Sequence, residues 1–255
     1  MPGFAASDVI GYVPMTSFYQ LDTVPGGDGT SQITSPQGQI LMGQDPWWGG
    51  GEFLRCRANG TIRQFGLVVV SPTFNTAAPA FGQYEYLVTE APATANLGRA
   101  LGVAMRNATA GQYVWVQIGG VTPVNCNASV AADTTFGIAA AGQGGANVAG
   151  RQVLNARVVA AGTTTVVKAA CRAPSASTIL EVPNADGWFP GVFLSGTGIA
   201  AATQAVQIDI NNRTVTLNNA TTAAVNGNVT ATYNNGTIHY NVAYLNRPFA
   251  QGAIT

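Results

Sequence analysis

The sequence predicts an all-β protein: two small antiparallel β-sandwich or barrel units with an extended N-terminal arm. Short runs of alternating apolar and polar residues recur roughly every eight to twelve residues, with Asn, Gly and Asp turn signals between them. No stretch has the apolar periodicity of a helix of three turns. The length of 255 residues suits one or two domains.

The first element is the arm, residues 1–50, where prolines and a Gly-rich stretch favour turns and extended chain. The arm also has large aromatic residues, among them Phe18, Tyr19, Trp47 and Trp48. These aromatic residues are expected to hold the arm against its own domain or against a neighbouring subunit. The Trp47-Trp48 pair is the most unusual local feature, and tryptophan is enriched in protein interfaces.

The first β-unit is predicted to span residues 51–174. Residues 52–57 alternate in polarity and precede an Asn59-Gly60 turn, which predicts a hairpin to a strand at 65–70. Residues 72–82 are predicted to form a loop, and residues 97–106 either a strand pair or a short helix.

The clearest strand is residues 111–118, which end at Gly119-Gly120. Tyr113 and Trp115 occupy one face, while a row of aliphatic residues occupies the other, so burial on both sides is expected. Beyond this strand, a loop is predicted at 139–150 and further strands at 153–159 and 163–168.

The second unit is predicted to span residues 175–236. Its expected strands are 177–182, 191–194, 206–210, 215–217 and 229–233. Residues 237–255 begin with one more strand, and the sequence leaves open whether that strand pairs back with the first unit or ends on the second.

Residue types that support catalysis are sparse, so no enzyme activity, cofactor or metal is expected. His239 is the only histidine, and no Gly-x-Ser-x-Gly elbow accompanies it. The three cysteines, Cys56, Cys126 and Cys171, lack zinc spacing and are expected to be reduced and buried. The carboxylate pairs Glu85–Glu90 and Asp186–Asp209 have no context that marks them as glycosidase acids.

Charge excludes further classes of function. Only 9% of the residues are charged, and the formal net charge is zero, so there is no basic patch for nucleic acid. No run of 18 or more apolar residues predicts a membrane span, and the N-terminus has no signal-peptide pattern. The surface is therefore expected to be hydrated by uncharged polar residues or covered by other subunits.

Two stretches resemble proteins of tailed bacteriophages. Leu-Gly-Arg-Ala-Leu-Gly-Val-Ala (97–104), Gly-Gln-Tyr-Val-Trp-Val-Gln-Ile-Gly-Gly (111–120) and Ala-Gly-Arg-Gln-Val (149–153) are similar to the core of capsid decoration, or cement, proteins. Residues 193–199 and 212–221 resemble a small β-module found in phage fibre and decoration proteins. Residues 1–50 carry no resemblance.

The resemblance implies a virion structural protein, made in the host bacterial cytoplasm, that binds and stabilises the exterior of the mature capsid. Its expected partners are the major capsid protein and further copies of itself, as a homotrimer. The candidate assembly residues are Trp47, Trp48, Phe18, Tyr19, Arg247 and Phe249. The alternative is a phage fibre or tail protein whose second β-module binds a receptor or glycan.

Overall fold

The structure, a computed structural model, describes residues 38, 40–45, 48–74 and 84–253. Within these ranges the regular structure consists of β-strands without an α-helix. The predicted all-β class is confirmed. The chain divides into two compact units, residues 1–161 with 241–255 and residues 162–240.

The sheet of the first unit has ten strands. They are β1 (Ile40–Asp45), β2 (Gly49–Ala58), β3 (Leu67–Phe74), β4 (Tyr84–Glu90), β5 (Leu101–Ala104), β6 (Tyr113–Cys126), β7 (Gly137–Ala140), β8 (Gln143–Gly145), β9 (Val153–Ala160) and β16 (His239–Ala250). Their order is β1-β2-β4-β3-β5-β6-β16-β9, and β7 and β8 form a side branch next to β6.

Five of these strands form a closed ring, because β6 also pairs with β2. The ring runs β2-β4-β3-β5-β6, and its pairings are antiparallel except between β2 and β4. Aliphatic side chains from all five strands form one core cluster, to which β6 contributes Val114, Val116 and Ile118. This is the aliphatic face that the sequence assigned to residues 111–118.

The opposite face of β2 and β6 is buried as well. Tyr113 and Trp115 are 7% and 4% exposed, so the predicted burial of both faces is confirmed. The Arg55 side chain is completely buried, and its guanidinium carbon lies 4.4 Å from the centre of the Tyr113 ring, a cation–π geometry. Burial also raises the pKa of the neighbouring Cys56 thiol, which keeps that thiol protonated.

Two predictions about the first unit are wrong in detail. Gly119-Gly120 does not end the strand, because β6 continues to Cys126. Gly120 has φ +94° and lies against the backbone of β2, where a side chain would collide with Gly50 O, so the glycine pair permits close strand approach.

The predicted hairpin at Asn59-Gly60 also does not form. The chain does turn there, but β3 pairs with β4 and β5 instead of β2. Strand β2 pairs instead with β1, β4 and β6. Of the two options for residues 97–106, the structure has a single strand, β5, and the predicted loop at 139–150 contains the short strand β8.

The second unit is a closed six-stranded barrel. Its strands are β10 (Thr165–Ala173), β11 (Ile179–Glu181), β12 (Phe193–Ser195), β13 (Thr203–Asp209), β14 (Thr214–Leu217) and β15 (Val225–Thr232). They close in the order β10-β11-β14-β13-β12-β15, with every pairing antiparallel. Leu180, Val215 and Val229 are fully buried in this unit, as is Trp188, whose indole N–H donates to Val166 O at 3.2 Å.

The boundaries of the units differ from those predicted at 174/175 and 236/237. Strand β10 pairs with β11 and β15, so the barrel already begins at residue 162. The last strand pairs back with the first unit, where β16 is antiparallel to β9. The second unit is therefore an insertion in the chain of the first.

The predicted arm is shorter than 50 residues, because β1 pairs with β2 over Ile40–Asp45. The remainder of the predicted arm, residues 1–37, 39, 46 and 47, lies outside the described residues.

Candidate functional site

The structure describes three of the six predicted assembly residues. Trp48 is half-buried in the turn between β1 and β2, and Arg247 and Phe249 are exposed on β16. Phe18, Tyr19 and Trp47 lie outside the described residues. Two of the three described candidates therefore lie on β16.

Strand β16 has an irregularity at the point where these residues occur. Its register against β9 shifts between Leu245 and Phe249, and Arg247 lies inside the shift with φ +49°. A bulge of this kind leaves residues outside the regular alternation and redirects their side chains. As a result Asn246 and Arg247 are both exposed, although they are adjacent in the chain.

Beside this bulge, β9 and β16 carry large apolar side chains that are exposed. We call this set the outer face: Leu154 at 40%, Val159 at 39%, Tyr244 at 46% and Phe249 at 39% exposure. Phe249 and Leu154 are direct cross-strand neighbours. Side chains of this size are mostly buried in monomeric proteins, and a group of them on one strand pair is typical of a contact surface.

The opposite side of the same strands is buried, which fixes the orientation of the outer face. Val153, Val158, Leu245 and Ala250 are each about 1% exposed. A register slip that would hide the outer face would expose these residues instead, so the strand pair is held in this register.

Arg247 connects the outer face to β2. Its Nε and one terminal nitrogen donate to the two carboxylate oxygens of Glu52 at 3.0 and 3.3 Å. These hydrogen bonds raise the pKa of Arg247, so it stays charged. Trp48 precedes Glu52 by four residues, about 13 Å at the rise of a β-strand. The ion pair therefore fixes Arg247 against β2, the strand that begins directly after Trp48.

Two of the charges near the outer face are paired, and a third, the exposed Arg99, lies beside β16 without an ion-pair partner among the described residues. Arg247 pairs with Glu52, and Arg157, the cross-strand neighbour of Tyr244, pairs with Asp133. The face therefore presents apolar groups among two neutralised ion pairs and one unpaired guanidinium. Such a surface can pack against an apolar partner surface, and one guanidinium alone is far from the basic patch that binds a polyanion.

Two of the other sequence candidates, Glu90 and Asp209, are held in local contacts. Glu90 forms an ion pair with Arg63 at 2.7 Å. Asp209 accepts hydrogen bonds from the backbone and side chain of Asn212 in a turn, which lowers the pKa of its carboxyl group. His239 is half-buried, and its Nδ1 has no hydrogen-bond partner among the described residues.

Metal and thiol chemistry find no support in the described ranges. These contain no group of three or more His, Cys, Asp or Glu side chains arranged to hold a metal ion. All three cysteines are free and buried, and burial raises the pKa of Cys126 to about 12.

Sequence reasoning missed most of the outer face. It selected Arg247 and Phe249 from the closing segment but not Leu154, Val159 or Tyr244. One signal is present in the chain: Val153-Leu154 and Val158-Val159 are adjacent apolar pairs. Because neighbouring side chains in a strand point to opposite faces, such pairs place apolar residues on both faces of the strand.

Comparison with known proteins identifies no relative. No family model, no curated protein and no solved structure matches this chain. The described residues include no helix that is long and apolar enough to cross a membrane.

Proposed function

We propose that this protein decorates the exterior of a tailed-phage capsid, where it binds the mature lattice of the major capsid protein as a homotrimer. The observation that carries the proposal is the outer face, a group of exposed apolar side chains on a rigid strand pair. The likeness of residues 97–104, 111–120 and 149–153 to decoration proteins gives the class of partner.

The chemistry of the first unit suits a protein that acts by covering a surface. Such a role needs a stable scaffold and an apolar contact area. Both are present in the closed ring of β2–β6 and the outer face. The compensated ion pairs at Arg247 and Arg157 also reduce the charge that would have to be desolvated on binding.

The proposed mechanism is thermodynamic linkage. A ligand that binds only the expanded, DNA-filled lattice stabilises that lattice by an amount that grows with its concentration relative to its Kd. No titratable cluster and no chemical step are required. In this mechanism the outer face contacts capsid subunits, and Trp48 lies near the edge of the contact.

The test uses particles that lack the protein. Purified full-length chain is added to expanded capsids and to unexpanded procapsids, and bound protein is measured after sedimentation. Saturable binding to expanded capsids, together with a higher temperature of DNA release, is expected. Equal binding to both particles, or none to either, would overturn the proposal.

A further inference from the structure

The barrel of the second unit carries a groove of about 630 Å³ on its outer surface. This volume falls within the range of small-molecule sites, about 300–1,000 Å³. Its walls come from β10, β11, β15 and the connection between β10 and β11. The groove shares no residue with the outer face of the first unit.

Three polar side chains cross the groove in a row. Arg172 on β10 is the direct cross-strand neighbour of Glu181 on β11 and of Asn226 on β15, and all three are exposed. Neighbouring Cβ atoms in such rows lie about 4.5–5.5 Å apart. The row therefore places a carboxylate, a guanidinium and a carboxamide side by side.

The guanidinium, carboxylate and carboxamide groups of this row do not help to hold the barrel together. Neither a hydrogen bond nor an ion pair joins Arg172, Glu181 or Asn226 to another side chain in the part of the chain that the structure describes. Arg172 and Glu181 carry opposite charges on adjacent strands, yet they do not form an ion pair. Their donors and acceptors are thus available to a molecule in the groove.

Apolar atoms complete the lining. Ile179 is 43% exposed and lies on the same face of β11 as Glu181, two residues away. Pro174 is exposed and adds further apolar surface. A ligand that fits must therefore combine hydroxyl or amide groups with an apolar face.

The backbone around the groove is irregular at two alanines. Ala170 has φ +57° and lies in the register shift that separates Lys168 from Cys171 on β10, just before Arg172. Ala176 has φ +59° in the connection between β10 and β11. Left-handed conformations are costly for alanine, and bulges that redirect side chains are common beside binding sites.

We propose that this groove binds a neutral carbohydrate. Vicinal hydroxyl groups both donate and accept, so one can donate to Glu181 while its neighbour accepts from Arg172. Asn226 supplies a second donor and acceptor, and the C–H face of a sugar ring can cover Ile179. The single positive and single negative charges cancel, which favours an uncharged saccharide over a phosphate or a polyanion.

The experiment screens the full-length chain on an array of bacterial surface glycans. The dissociation constant of the best ligand is then measured by titration calorimetry for the wild type and for Arg172→Gln, Glu181→Gln and Asn226→Ala. The matched control is Arg213→Gln, which removes the same charge from an exposed position of the same barrel outside the groove. Circular dichroism verifies that each variant is folded.

Binding of a neutral glycan that weakens about tenfold or more in Arg172→Gln and Glu181→Gln is expected, because each variant loses a hydrogen bond to a charged group. The control should bind like the wild type. Absence of glycan binding, or binding that the groove variants leave unchanged, would overturn the inference. Binding only to anionic glycans or to peptides would also overturn it. Capsid binding through the first unit is measured separately and is unaffected by these results.

Discussion

Replacing Phe249 with alanine tests whether the outer face binds the capsid. The ring is 39% exposed, and an aromatic side chain offers about 200 Å² in total, so about 80 Å² is free to be covered by a partner. At about 25 cal/mol per Å² this contact contributes about 2 kcal/mol, which corresponds to about a 30-fold change in Kd.

The assay is equilibrium binding of fluorescently labelled chain to expanded capsids that lack it. Because alanine also removes the buried part of the ring, the free energy of unfolding of the variant is measured by urea titration in parallel. A loss of about 1–3 kcal/mol is expected there. The two capsid affinities are compared only under conditions in which the Phe249→Ala variant is folded.

The matched control is Ile210→Ala. Ile210 is 44% exposed but lies in the second unit, so it has comparable exposure without belonging to the outer face. Unchanged capsid affinity in Phe249→Ala, or an equal loss in Ile210→Ala, would refute the reasoning.

Three further predictions concern the stability and reactivity of the fold. The thiols of Cys56, Cys126 and Cys171 should not react with Ellman's reagent in the native protein, since all three are buried with raised pKa, and all should react in guanidinium chloride; fast native reaction would contradict the packing. Leu180→Ala should lower the free energy of unfolding by about 2–5 kcal/mol in urea titration, because the side chain is fully buried in the barrel, and a loss below about 1 kcal/mol would disagree with that burial. Burial raises the pKa of Tyr233 to about 12, against about 10 in the unfolded chain, so the unfolded chain loses this proton first and stability should fall as the pH rises from 10 to 12. Tyr233→Phe should show a smaller fall in pH-dependent denaturation curves, and an identical fall would exclude this group as a cause.

The sequence predicts the elements that depend on local alternation. Apolar residues on both faces predict the strand at 111–118, because that pattern is typical of strands covered on both sides. Most strands of the barrel were found in the same way, since their short alternating runs are separated by Asn and Gly turns.

The partners of these strands could not be predicted from local pattern. Strands β9 and β16 are separated by the whole inserted barrel, and their pairing brings Leu154 next to Phe249. The alternation within each segment does not show which strand it pairs with, and the register becomes fixed only when Val153 and Leu245 are buried together on the opposite side. The outer face was therefore only partly visible in the sequence.

The groove was missed for the same reason. Arg172, Glu181 and Asn226 come from three strands, and the bulge at Ala170 sets the register that aligns them. The sequence also places the strand at 163–168 in the first unit, because the predicted boundary lies at 174/175. Only the pairing of β10 with β15 places Arg172 in the barrel.

The copy number of the chain in purified particles tests the central claim most directly. Quantitative mass spectrometry against the major capsid protein gives this number without assuming an interface. A decoration protein is expected at hundreds of copies, close to one for each capsid subunit. A few copies to a few dozen for each particle would contradict the account and would indicate a fibre or tail component instead.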